Sequence, residues 1–175
     1  MAVSTESAMS VAALAQEYLD AVARGDGVAA AERYFHPDVR YTVNGPASTA
    51  EGVALPTLSA ELHAALPWLG TYQGLDEVSA FLTHMHSNLE VTGFGPRQIV
   101  GDDNRAAVFG WFGLRSRADG RHVRVAFSVL LEGRDGKIAR YQFLENTFDV
   151  SLAFRTAGTW TFETDGSRRT VPTER

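Results

Sequence analysis

The sequence predicts an α+β fold in which a curved, mainly antiparallel sheet wraps on about three helices to form a cone around an internal cavity. Two observations carry that expectation. An amphipathic helix pair and a longer helix precede four consecutive strand-like runs, the last beginning GKIARYQFLENTFDV. Short turn sequences separate the runs: Gly101-Asp102-Asp103-Asn104, Ala118-Asp119-Gly120 and Arg134-Asp135-Gly136, which imply an antiparallel meander. At 175 residues, 45% of them hydrophobic, the chain suits one domain with a single core.

Taken in order, residues 1–10 are small and polar and read as a frayed start. Ser10 is a candidate N-cap, after which Val11, Leu14, Ala15, Tyr18, Leu19 and Val22 recur at helical spacing. Gly25 suits the left-handed position that closes this helix. A shorter helix over about Val28 to Phe35 is stopped by His36-Pro37, and Asp38 to Asn44 alternates as a strand does. Residues 45–67 are rich in Ala, Pro and Ser, with a helical fragment near Leu58–Leu66 capped by Thr57 or Ser59; they read as a lid-like insertion over a pocket mouth. The next helix spans about Leu75 to Leu89, with Val78, Phe81, Leu82, Met85 and Leu89 on one face. Strands are expected at about 90–101, 105–117, 122–133 and 137–146. The cone domain then covers 11–155, and the tail 156–175 alternates on both sides of Asp165-Gly166, as a hairpin or a mobile arm would. A lone hairpin is marginal, so an ordered one needs the body or a second subunit to pack on.

Composition removes several function classes. No run of about 18 apolar residues is present, and the N-terminal stretch meets Glu6 and Glu17 without a basic region. The expectation is a soluble cytoplasmic protein that does not engage a membrane. Zero cysteine rules out disulfides, thiolate nucleophiles and thiolate metal sites. A net charge of −5 offers no field for phosphate, so nucleic acid is not an expected partner. No glycine-rich phosphate loop occurs, so no redox cofactor is implied. His84 and His86 resemble a metal pair, but that spacing on a helix turns the rings about 200° apart, and no metal is expected.

Four stretches carry a family resemblance: EYLDAVARGD (17–26), FHPDVRYTVNGP (35–46), PWLGTYQGLDEVSAFL (67–82) and RDGKIARYQFLENTF (134–148). In this order and spacing the chain resembles the nuclear-transport-factor-2-like superfamily, and within it SnoaL-like and ketosteroid-isomerase-related proteins. That fold hosts isomerases, cyclases, epoxide hydrolases, dehydratases and non-catalytic binding modules, so it leaves the reaction open. The resemblance places Tyr18 where ketosteroid isomerases carry an oxyanion-binding tyrosine. It places their carboxylate base near Val43 or Asn44 and their protonated acid near Ser128. Ordinary steroid isomerisation is therefore not expected. The Asp-Arg-Asp set of limonene-epoxide-hydrolase-like enzymes falls on Asn146, Gly110 and Phe112, with Tyr41 and Asn44 matching their tyrosine and asparagine, so water activation lacks a base. SnoaL-type cyclases use an acid on the last strand, and Glu145 stands near that place after a shift of about two residues.

The resemblance implies a cavity wall of Tyr18, Tyr41, Asn44, Trp68, Tyr72, Phe112, Ser128, Gln142 and Asn146. Glu145 and Asn146 alternate on a strand, so one of them faces the pocket; counting from the DGKI turn favours Asn146. The catalytic candidates are Tyr18 as hydrogen-bond donor, Glu145 or the insertion residue His63 as proton carrier, and Asn146 as the group that positions substrate. Phe109 and Trp111 turn to the outer sheet face, where the resemblance implies a homodimer. The functional expectation is a cofactor-independent cyclase, isomerase or dehydratase for an apolar polyketide-, terpenoid- or steroid-like molecule, or alternatively a non-catalytic ligand-binding or dimeric interaction module. An ionisable side chain facing the cavity would favour catalysis over binding alone.

Overall fold

The computed structural model describes residues 9–44, 60–95 and 97–172, the side chain of Leu62 excepted. Ser10 caps α1 (Val11–Ala23): its hydroxyl accepts from the Ala13 N–H at 3.2 Å, satisfying one of the donors that a helix start leaves open. Val11, Leu14, Ala15, Tyr18 and Leu19 form its buried stripe. Gly25, at φ 88°, takes the left-handed position that ends the helix. Next, α2 (Gly27–Tyr34) runs directly into β1 (Phe35–Val43).

Most of the expected insertion, 45–59, with its caps Thr57 and Ser59, lies outside the described residues. Its remainder includes α3 (Ala60–Ala65), followed by β2 (Gly70–Gln73) and α4 (Gly74–Asn88). The four-residue β2 was not foreseen, being too short to show alternation; it pairs antiparallel with Arg40–Val43. The strand expected over 90–101 is two strands, β3 (Leu89–Phe94) and β4 (Gln98–Gly101), both antiparallel to β5 (Arg105–Ser116). β6 (His122–Arg134) and β7 (Lys137–Glu145) complete the meander. The sheet order is β2-β1-β7-β6-β5-β3, with β4 also on β5, and β1 joins β7 in parallel.

Register shifts bend this sheet. They fall between Phe35 and Arg40 on β1, between Val91 and Gly93 on β3, and opposite Glu132–Gly133, where Ala139 of β7 is skipped. A bulge adds local twist and curvature, so the sheet wraps on α1, α2 and α4 as a cone. The concave face supplies the core, with Val108, Val125, Val129, Leu131 and Ile138 at 2% exposure or less; truncating Leu131 to Ala would cost roughly 2–5 kcal/mol.

After Glu145, α5 (Thr147–Phe154) packs against β5 and β6. The sequence had suggested no helix there. Phe154 meets the Trp68 ring edge at 5.1 Å, and the Arg121 guanidinium donates to the Leu152 and Arg155 carbonyls. Beyond it, β8 (Thr159–Thr164) and β9 (Ser167–Pro172) form a hairpin. Asp165 and Gly166 close it with φ of 51° and 73°, the two positive values a tight two-residue turn requires. No helix among the described residues is long and apolar enough to cross a membrane.

Candidate active site

The helices and the concave sheet face enclose a cavity of about 60 Å³. Helical spacing on α1 brings Tyr18, Leu19 and Val22 to one side of it, and Phe81, Leu82 and Met85 do the same from α4. The sheet contributes Tyr41 and Val43 from β1, Phe94 and Phe112, and Tyr141, Phe143 and Glu145 from β7; Trp68 and Val150 of α5 complete the mouth. The wall is almost wholly apolar; among its described side chains the polar groups are three tyrosine hydroxyls, one carboxyl and the Trp68 indole N–H.

Parallel pairing of β1 with β7 sets Tyr41 beside Tyr141, whose rings stack at 4.5 Å, while Tyr18 meets Tyr141 edge-on at 5.5 Å. The hydroxyls of Tyr18, Tyr41 and Tyr141 lie close enough for each to feel its neighbours. Burial pushes all three hydroxyls above their ordinary value, so each stays protonated at neutral pH. They are therefore standing hydrogen-bond donors.

Glu145 pairs with Phe127 across β6–β7 and so shares its inward direction. The residue is partly buried, and burial of its carboxyl in this apolar wall raises its pKa from 4.5 to about 8. At pH 7 it is therefore largely protonated. Such a group donates a proton near neutrality and accepts one as its ionised fraction grows, which is the tuning acid–base chemistry uses.

The model of the SnoaL-like domain matches residues 15–141 of this chain. The chain belongs to the SnoaL-like family. Its fold is also that of several solved structures. An NTF2-like protein of Burkholderia pseudomallei shares 22% identity at a TM-score of 0.63, over 81% of this chain and 95% of that one. A candidate polyketide cyclase of Pseudomonas putida shares 19% at 0.61, over 82% and 96%. A candidate isomerase of Bacillus subtilis shares 14% at 0.60, over 81% and 90%. No curated protein matches the chain.

In this SnoaL-like cone, Tyr18, Tyr41, Trp68, Phe112 and Glu145 come together on the cavity wall. Several other candidates stand elsewhere. Asn146 is exposed, precedes α5 and donates to Asp149 at 2.8 Å. Gln142 lies on the opposite face of β7, its amide oxygen taking a bond from Arg140. The cause is the bulge at Ala139: strict alternation from the buried Ile138 would turn 142 and 146 inward, but one skipped residue turns 141, 143 and 145 inward instead. Ser128 pairs between the outward Phe109 and Leu144, so it too faces out.

Tyr72 stacks on Phe81 at 4.4 Å from the side away from the cavity, where it borders a shallow groove with His84. His63 is exposed on α3 and is not among the cavity-lining residues. Asn44 is not among them either, but its amide oxygen accepts the Glu145 N–H at 2.9 Å. His84 is exposed on α4, and His86 packs beside Gly27. Sequence reasoning missed Tyr141. The alternation in YQFLE already groups Tyr141, Phe143 and Glu145 on one face, and only the choice of face was wrong.

Proposed function

We propose that the chain binds a small, largely apolar molecule in its cone and acts on it as a cofactor-independent isomerase, cyclase or dehydratase, with Glu145 carrying the proton. The observation that supports this reading is a carboxyl set alone among apolar and tyrosine side chains, with its pKa raised to about 8 by burial. It favours catalysis over a binding-only module, for which a neutral wall would suffice. The Tyr18 hydroxyl, beside Tyr41 and Tyr141, donates to a carbonyl oxygen of the substrate. Glu145 takes a proton from the adjacent carbon and returns it at the new position.

The cavity is smaller than the roughly 150 Å³ hole that admits benzene. A polyketide-, terpenoid- or steroid-like substrate therefore needs lining side chains to move aside as it binds. The test uses a small apolar ketone, cyclohexanone, in heavy water, with deuterium uptake next to the carbonyl read by NMR. Wild-type protein should accelerate uptake, increasingly as pH rises to about 8, and Glu145→Gln should not. Equal rates with the two proteins would remove the catalytic reading and leave the binding module.

A further inference from the structure

β1 ends at Val43, one residue before Asn44. Asn44 adopts φ 45°, a left-handed conformation that few residues other than Gly, Asn and Asp hold. Its N–H still donates to the Phe143 carbonyl at 2.9 Å, continuing the parallel ladder by one bond. In a parallel pair the following bond would run from the Glu145 N–H to the main-chain carbonyl of residue 44. Here the Asn44 side chain supplies the acceptor instead: Oδ1 takes the Glu145 N–H at 2.9 Å. On its other side, β7 is closed by the Asn146 N–H bonded to the Ala126 carbonyl.

From this geometry we infer that Asn44 is a positioning residue for Glu145, its side chain standing in for the missing rung so that the carboxyl stays turned into the cavity. The inference rests on the reading of Glu145 as the working carboxyl. Without the rung, the last residue of β7 is tethered on the β6 side alone, and its side chain is free to rotate toward solvent at the mouth.

The choice of an amide over a carboxylate is itself informative. Asp at position 44 would make the same bond to Glu145, but its negative charge would oppose ionisation of the carboxyl that has to accept a proton. Asn makes the bond without charge, at the expense of a buried Nδ2 that finds no partner among the described residues. Since Oδ1 must accept from an N–H, the amide cannot be flipped to relieve that donor. The cost is one a purely structural tether would avoid. The titratable groups facing Glu145 are Tyr41 from β1, Tyr18 from α1 and Tyr141 from its own strand; no other charged side chain is among the described residues of the wall.

The test reads the Glu145 carboxyl by carbon-13 NMR with glutamate labelling, in wild type, Asn44→Gly and Asn44→Asp. Glycine keeps the positive φ and removes the acceptor; aspartate keeps the acceptor. Asn44→Gly should lower the Glu145 midpoint by about one pH unit or more, toward the ordinary carboxylate range, as the carboxyl gains water. Asn44→Asp should keep it raised. A wild-type midpoint retained in folded Asn44→Gly overturns the inference, whatever the loss of melting temperature. Should glycine not fold, a fall to the ordinary range in Asn44→Asp overturns it equally. An ordinary midpoint in the wild type itself would instead overturn the reading of Glu145 on which the inference rests.

Discussion

Glu145 is a carboxyl whose folded pKa, about 8, lies above its unfolded value near 4.5. The folded state therefore binds the extra proton. Its contribution to stability is complete below about pH 4.5, erodes as pH rises, and is lost above about 8. The size is on the order of a few kcal/mol. Glu145→Gln removes this dependence, so the stability of the variant relative to wild type should climb between pH 5 and pH 9 in urea titrations; parallel curves would show that the carboxyl is ordinary. On the proposed reading, Tyr18 acts on the substrate through its hydroxyl. Tyr18→Phe should cost about 1 kcal/mol in melting experiments and slow deuterium uptake by about 100-fold, whereas unchanged uptake would exclude it as the carbonyl donor.

At the scale of elements, the strands are set by close approaches as much as by alternation. A Cβ on Gly101 would collide with the Arg105 carbonyl oxygen and the Ala106 main chain, atoms that cannot yield without breaking the β4–β5 pair. Gly101→Ala should cost roughly 1–3 kcal/mol, read from the urea midpoint; a neutral result would mean that β4 is loosely held. The long periodic segments, α1, α4 and β5 to β7, were legible in the sequence because their faces repeat over several turns or rungs. The short β2 and the α5 helix were not: four residues hold too little pattern, and TFDVSLAF continues the apolar character of the strand before it. The site was half legible for a related reason. Tyr18 and Tyr41 follow from their place in regular elements and Trp68, in the turn before β2, from the family resemblance, whereas the choice between Glu145 and Asn146 depended on one bulged residue, Ala139, which composition does not announce.

Over the whole molecule, the convex face of the sheet carries an apolar centre. Phe109 is 50% exposed and Trp111 37%, with Leu144 and Val100 nearby. Arg124 lies over the Trp111 ring, and Glu90 with Arg115 stands farther along the same face. An apolar centre with a charged margin is how subunit interfaces are built, and we propose that this face pairs two copies of the chain. Trp111→Glu should then give a monomer with its core intact in sedimentation, and a persistent dimer would place the contact elsewhere. The proposed chemistry turns on one group inside the cone. Its most direct test is the carbon-13 titration of the Glu145 carboxyl in the unmodified protein: a midpoint near 8 is the predicted result, and one near 4.5 would mean that the carboxyl is solvated and that the cavity holds no proton carrier.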